Sequence, residues 1–302
     1  MVPAADDPDG ATVSWRALQA EAERALAPVT DRPGVDARRI IERASGNLGA
    51  DYVLGLDDPV TERGMHFFDT MLERRRLGEP LQYVLGRWGF RDLDLLVDRR
   101  VLIPRPETET VVDLALAELD RLREPDRILI AVDLGTGSGA IGLSIAAERE
   151  QVEVLLTDAS ADALAVARAN LAGLGRAATR VRIAEPGEWF AAVPAEHRGA
   201  INLLVSNPPY VALDDDLPAV VRDWEPSSAL FSGPDGLDDL RRIVGEAPEW
   251  LAADGVLVVE LAPHQAEAVA GLARAAGFVE VEIGADLTGR SRAVVARRSA
   301  TS

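Results

Sequence analysis

The apolar run Leu203-Leu204-Val205-Ser206 stops at Asn207-Pro208-Pro209-Tyr210. Two successive prolines carry no backbone N–H, so they cannot extend a sheet ladder and the strand ends there. Such a corner holds backbone carbonyls and one Asn side chain in fixed directions. A planar –NH2 group, as in an amide or an exocyclic base amine, has a delocalised lone pair and is a weak nucleophile. The Asn207 side-chain oxygen and the Pro208 carbonyl can accept its two N–H bonds, while the Tyr210 ring stacks on its plane. That arrangement positions the nitrogen and stabilises the positive charge it gains on alkylation. The plainer reading is a stiff turn. The corner by itself does not separate the two.

A second cluster follows the run ILIAVD, at Leu134-Gly135-Thr136-Gly137-Ser138-Gly139-Ala140. Glycines there permit a tight turn and let a nucleotide-type ligand approach backbone N–H groups at the start of a helix. Gly135, Gly137 and Ala140 also satisfy the dinucleotide pattern, so the glycines alone leave NAD and S-adenosylmethionine open. Asp133 directly precedes the loop, where it repels a pyrophosphate and attracts the ammonium group of S-adenosylmethionine. Asp158 ends the next strand, about 20 residues past the loop, where an acid accepts hydrogen bonds from both ribose hydroxyls of either ligand. Asp133 therefore tips the choice to S-adenosylmethionine. Loop and corner together point to an N-methyltransferase.

These side chains need strands that end side by side. Apolar runs predict strands at residues 128–133, 152–157, 181–183, 201–206, 256–261, 279–283 and 293–296. Helical patterns fill gaps at 140–148, 161–171, 238–251 and 265–275, and Pro106 suits the first position of a helix carrying Val111, Val112, Leu116 and Leu119. Continuous apolar strands separated by helices imply a seven-stranded, mostly parallel α/β sheet covered on both faces, with ligands at its carboxyl ends. The catalytic domain is placed at 106–302.

Residues 13–86 read differently, as helices without strands. Trp15, Leu18, Ala22 and Leu26 share one face, and Pro28 stops that run. Asp36 is the expected cap of a helix carrying Ile40, Ile41 and Ala44, ended by Gly46-Asn47. Thr61 begins another through Met65, Phe68 and Leu72. Residues 87–105 contain WGFRDLDLLV and predict a β-hairpin linker. Residues 1–12 are acidic, lack the basic and apolar regions of a signal peptide, and are expected to be a disordered lead.

Composition narrows the chemistry. Of 302 residues 47% are apolar and 27% charged, which suits a globular chain. No apolar run approaches the ~18 residues of a membrane span. Cysteine is absent, which removes disulfides, thiolate metal sites and a Cys nucleophile, and makes the cytoplasm the expected compartment. His66, His197 and His264 are scattered, so no metal site is expected. A net charge of −18 argues against direct nucleic-acid or membrane-surface binding. Arg74-Arg75-Arg76 is either a local basic patch or a solvated helix face.

The chain resembles the HemK/PrmC family, the peptide chain release factor glutamine methyltransferases. The resemblance runs from about Val13 to Arg298 and is carried by the glycine loop, the Ser206 to Tyr210 corner and several further stretches. These are Arg74-Arg75-Arg76 with Gly78-Glu79-Pro80, Leu102 to Glu109, Glu188-Trp189-Phe190, Glu225-Pro226, Asp235-Gly236-Leu237, and Glu260 with Gln265. It implies a class I S-adenosylmethionine-dependent methyltransferase, Rossmann-like, preceded by a helical bundle and a linking β-hairpin. The implied reaction methylates the side-chain amide nitrogen, N(5), of the glutamine in the GGQ motif of class I release factors, with S-adenosylhomocysteine as product. Within that resemblance Gly135, Thr136, Gly137, Ser138, Gly139 and Asp158 hold the cofactor, Asn207 faces its sulfonium, and Trp189 lines its adenine side. Asn207, Pro208, Pro209 and Tyr210 hold the substrate amide, and residues 13–86 recognise the protein substrate. Arg105 either gates the substrate pocket or pairs with Glu107 or Glu109, and Phe90 either lines the pocket or fills the hairpin core. Three stretches depart from the family pattern: Glu188 where Asp is usual, Glu260-Leu261-Ala262-Pro263 in place of Glu-x-Gly, and Ser232-Gly233-Pro234. The rival substrates are a glutamine of a large-subunit ribosomal protein and, from another class, a nucleic-acid adenine. A dinucleotide-binding module without catalysis would share the glycine loop but has no use for the Asn-Pro-Pro-Tyr corner.

Overall fold

Helix signals at the N-terminal end of the chain are met by a small helical unit, and the computed structural model describes residues 12–298. The expected lead falls almost entirely on residues 1–11, outside the described residues. The chain divides into two compact units at Gly86/Arg87.

In the first unit, helix α1 (Trp15–Leu26) is capped by the Ser14 hydroxyl and buries Trp15, Leu18, Ala22 and Leu26. Helix α2 (Pro33–Ser45) starts with Pro33 in its first turn and ends at Gly46, whose φ of 79° is the left-handed cap that glycine tolerates. A short α3 (Gly49–Leu54) follows. Helix α4 (Glu62–Arg76) begins at Thr61, whose hydroxyl accepts from Gly64 N at 3.1 Å, and α5 (Leu81–Leu85) closes the unit. Phe68, Ile40, Ile41 and Leu26 are among its buried core side chains.

Two expectations change here. Asp36 does not cap α2; it sits in the first turn, buried, and accepts from Arg75 Nε at 2.8 Å. Arg74 in turn pairs with Glu79 at 2.6 Å. Two arginines of the Arg74–Arg76 run are therefore tied inside the unit, and the run is neither an open basic patch nor a merely solvated face.

The second unit opens with an antiparallel hairpin, β1 (Arg87–Phe90) and β2 (Leu93–Leu96). Helix α6 (Thr108–Leu122) starts two residues after Pro106, which lies in the preceding turn. Then come β3 (Leu129–Leu134), α7 (Ala140–Glu148), β4 (Val152–Thr157), α8 (Ala161–Ala172), β5 (Val181–Ile183), β6 (Ile201–Ser206) and α9 (Ala219–Arg222). The chain finishes with α10 (Asp238–Trp250), β7 (Leu251–Glu260), α11 (Ala266–Ala275), β8 (Glu280–Ala285) and β9 (Ser291–Arg297). Strand β7 begins five residues earlier than its apolar run suggests, because Leu251 already pairs with Ile201 beside an irregularity in the ladder.

The sheet order is β5-β4-β3-β6-β7-β9-β8. The strands β5 through β7 run parallel, while β9 is antiparallel to both its neighbours. From β3 the chain builds outward through β4 and β5, then returns to place β6 on the other side of β3. That reversal is the topological switch point where ligands of open α/β sheets bind. Leu134 pairs with Thr157 on one side and Ser206 on the other, so three strands end level there. Every residue of β6 is buried, as a strand covered on both faces requires.

Candidate active site

The turn from β3 into α7 is built on Gly135, Gly137 and Gly139, with φ of 71°, 56° and 87°. Side chains rarely adopt that region, so the glycines are required by the path of the chain. Asp133 braces this turn from beneath. Its Oδ2 accepts from Thr136 Oγ1 at 2.6 Å and from Gly142 N at 3.0 Å, and the residue has no exposed surface. Burial pushes its pKa up to about 6, opposed by those two bonds. Asp133 is not among the residues lining the adjacent cavity. Its Oδ2 is committed to the loop, whereas its buried Oδ1 has no hydrogen-bond partner among the described residues.

Asp158 stands at the end of β4, across the loop. Its Oδ2 accepts from Gly137 N at 2.9 Å and its Oδ1 from Ser160 N at 2.8 Å. Burial raises its pKa, and the backbone bonds pull it back. Each oxygen keeps lone-pair capacity for a further donor. Gly135, Thr136, Gly137, Ser138, Asp158, Trp189, Asn207 and Pro209 line one cavity of about 450 Å³, which is ligand-sized. Gly139 lies outside its lining and caps α7.

Trp189 carries an unusual φ of 44°, and its ring lies so close to the glycine turn that a Cβ at Gly135 would stand 3.2 Å from it. Its indole Nε1 donates to Asp239 Oδ1 at 3.0 Å. Glu188 reaches outward to Arg242 at 3.0 Å, and both also line the cavity. Nothing in the sequence pattern pointed to Asp239 or Arg242 here, because both lie on α10, some fifty residues further along.

Asn207 sits at the end of β6, beside the loop. Its Nδ2 donates to Thr108 Oγ1 at 3.3 Å. Pro208 is buried, and Pro209 lines the cavity. Tyr210 turns its ring into the sheet-side core rather than the cavity lining. Its hydroxyl donates to Glu260 Oε1 at 3.2 Å and its carbonyl accepts from Gln265 Nε2 at 3.0 Å. That placement departs from the expectation that the ring stacks on a planar substrate group: apolar burial and the Glu260 bond hold it elsewhere.

Two further residues fall outside the cavity lining. Phe90 is 1% exposed and belongs to the core, as inward positions of a hairpin do. Arg105 donates to Glu225 Oε1 at 2.5 Å, not to Glu107 or Glu109. Glu225 is buried, and its Oε2 accepts from Ile103 N at 3.1 Å, so one carboxylate fastens residues 103–105 beside the cavity wall formed by Val101, Leu102 and Pro104. Thr108, Glu260 and Gln265 lie in stretches that carry the family resemblance, yet nothing in their spacing foretold contacts with the Asn-Pro-Pro-Tyr corner. Among the described residues no group of His, Cys, Asp and Glu could hold a metal ion, and no helix is long and apolar enough to cross a membrane.

Comparison with known proteins agrees with the fold. Residues 115–224 match the methyltransferase small domain family, and residues 17–86 match the PrmC N-terminal domain. A release factor glutamine methyltransferase from Cereibacter sphaeroides is 40% identical over 286 residues, covering 93% of this chain and 97% of that protein. One from Xylella fastidiosa is 42% identical over 244 residues, covering 80% and 84%. Among solved structures, the hMettl16 catalytic domain in complex with MAT2A 3′UTR hairpin 1 aligns with a TM-score of 0.54 at 14% identity, over 75% of this chain and 79% of that one. That likeness concerns the fold alone. With relatives of such identity spanning nearly its whole length, the chain belongs to the release factor glutamine methyltransferase family.

Proposed function

We propose that this chain transfers the methyl group of S-adenosylmethionine to the side-chain amide nitrogen of the glutamine in the GGQ motif of class I peptide chain release factors. The observation that carries the reading is the meeting of three strand ends at one cavity: the glycine loop after β3, Asp158 after β4 and Asn207-Pro208-Pro209 after β6. Family membership supplies the substrate class.

The residues present fit S-adenosylmethionine. The backbone at Gly137 has open space where a Cβ would stand, as close approach of a ligand requires. Asp158, with spare lone pairs, suits two ribose hydroxyls, and the Trp189 ring beside Gly135 suits a flat base. The bound donor supplies a methyl carbon on a sulfonium; the amide nitrogen forms the new C–N bond as the C–S bond breaks, and one N–H proton then leaves to solvent.

The chain's own part is positioning and charge. The Asn207 side-chain oxygen and the Pro208 carbonyl accept the two amide N–H bonds and aim the nitrogen, which gains positive charge during transfer. No general base is needed at the moment of transfer. The helical unit ending at Gly86 recognises the protein substrate, in keeping with its match to the PrmC N-terminal domain.

The test incubates the full chain with labelled S-adenosylmethionine and, separately, a class I release factor, ribosomes, tRNA and DNA. Label on the glutamine of the GGQ peptide, located by mass spectrometry, is the expected result. Label confined to a ribosomal protein or to nucleic acid would overturn the reading.

A further inference from the structure

Trp189 stands in the cavity wall on a backbone that its residue type does not favour. The segment around it is anchored on both sides. Gly187 N donates to the Asp158 carbonyl at 3.1 Å, and the buried Phe190 ring stacks on Trp250 with centroids 5.6 Å apart. Between these anchors Trp189 takes its φ of 44°, in the left-handed region that bulky side chains enter only at a cost. Such a conformation persists where the surroundings over-determine it, and outliers of this kind gather at ligand sites. Here it carries the ring to the glycine turn. Two side chains of α10 meet the segment. The Arg242–Glu188 pair is solvent-exposed and contributes little. The bond from Trp189 Nε1 to Asp239 Oδ1, 3.0 Å long and part-buried, acts on the ring itself. Asp239 is held in turn: it lies in the first turn of α10, and its N–H donates to the buried Ser232 Oγ at 2.8 Å.

We propose that Asp239 is a positioning residue for the cofactor: by accepting the indole N–H it fixes the plane of the Trp189 ring against the glycine turn. The inference rests on the S-adenosylmethionine reading above and adds the group that keeps the adenine wall in shape. An indole has a single donor and no acceptor, so only an acceptor can direct it. The outer torsion of a tryptophan side chain is broad and roughly two-fold, and apolar packing alone leaves it a choice. A directional bond at Nε1 removes that choice. With the ring set beforehand, a flat base meets a finished wall, and no ordering of the ring is charged against binding. The role needs an acceptor oxygen at this place and not a negative charge as such. That distinction is open to experiment.

The contribution should appear in affinity and not in rate. Substrate-bound and transition states use the same adenine wall, so the wall supplies uniform binding, which lowers KM without raising turnover.

Titration calorimetry of the full chain with S-adenosylhomocysteine tests the proposal on Asp239→Ala, Asp239→Asn, Trp189→Phe and the double variant of Asp239→Ala with Trp189→Phe. Melting temperatures are taken on the same samples. Asp239→Ala should weaken binding about tenfold or more, the scale of a lost hydrogen bond to a charged group. Asp239→Asn keeps an acceptor oxygen and should bind within about threefold of the intact chain. Trp189→Phe removes the indole N–H, so Asp239 has nothing left to hold. Adding Asp239→Ala to that variant should change the affinity by less than about twofold, a coupling that general loss of fold does not produce. In methylation of a release factor, Asp239→Ala should raise KM for S-adenosylmethionine by about tenfold and keep turnover at saturation within about threefold. An Asp239→Ala chain with the intact chain's affinity would overturn the proposal. So would an effect of Asp239→Ala undiminished in the Trp189→Phe background, which would make Asp239 a contact of the ligand in its own right. Asp239→Asn as weak as Asp239→Ala would overturn it too, by making charge the cause. An intact chain that binds no S-adenosylhomocysteine rejects the cofactor reading itself, whereas an intact chain that binds it, with the Asp239 variants unchanged, rejects this proposal alone.

Discussion

In the proposed reaction Asp158 and Asn207 divide the chemistry at the level of single side chains: one serves the ligand of the glycine loop, the other the acceptor of the methyl group. Asp158→Ala removes the acceptor for ribose hydroxyls and also frees Gly137 N, so binding of S-adenosylhomocysteine should weaken by about 1.5–3 kcal/mol, the range for hydrogen bonds to a charged group. Titration calorimetry measures this, and an unchanged Kd would remove Asp158 from the site. Asn207→Ala should instead lower turnover by about 100- to 1,000-fold, as loss of a preorganised polar contact does, with product affinity nearly kept. Asn207→Asp retains the shape and an acceptor but adds charge beside a sulfonium. It should show low turnover with product-like affinity kept or raised, and normal activity in either variant would make the corner a turn and nothing more. The strand-end positions of these two residues were legible from the strand, glycine and proline signals beside them. The loop-bracing role of Asp133 was not legible, because its bonds to Thr136 and Gly142 exist only after the loop closes over it. Arg105 was misread on similar grounds, since its partner Glu225 lies 120 residues further along the chain.

Among the elements, the contact of α7 with the sheet decides how well the glycine loop is held. Gly142 lets α7 approach so closely that a Cβ there would collide with Leu156 Cδ2 and stand 3.1 Å from Asp133 Oδ2. Leu156 is fully buried and has nowhere to move. Gly142→Ala should therefore destabilise by about 1–3 kcal/mol, as overpacking does, and weaken cofactor binding by disturbing the Asp133 brace. Gly271 in α11 is the control, because a Cβ there meets nothing within 4 Å. Gly271→Ala should leave binding alone and hold or raise the melting temperature, by up to about 1 kcal/mol of stability. Thermal melts of both variants check the pair, and equal effects would mean that α7 packing does not support the loop. Elements with continuous apolar runs or paired caps were readable in advance: β4, β6 and α7 start and stop where their residues say. Helices α3 and α5 were not foreseen, being six and five residues long, too short for an apolar face to repeat. The order of the strands is a property of pairing across the sheet, and only the parallel character and the site at strand ends followed from the alternation of strand and helix.

At the scale of the whole molecule the two compact units carry separate cores, one built on Phe68, Ile40 and Leu26, the other on the seven-stranded sheet. The residues lining the cavity all belong to the second unit, from Arg100 to Arg242. The role proposed for the first unit is recognition of the protein substrate. That separation was legible as a change of texture, from helices alone to alternating strands and helices, whereas what the helical unit recognises came from family resemblance and not from its own residues. A chain beginning at Arg87 should bind S-adenosylhomocysteine within about threefold of the intact protein, because no cavity residue is lost, provided circular dichroism and a cooperative melt show that it folds. Its methylation of an intact release factor should fall by about 100-fold or more, the scale set by loss of several kcal/mol of docking energy. Methylation of a short GGQ peptide should be equally slow for both chains, since such a peptide offers the helical unit nothing to hold. That comparison separates recognition from catalysis: a truncated chain slowed on the peptide as much as on the protein has a damaged site. One that methylates the whole release factor as fast as the intact chain would show that docking does not run through the helical unit.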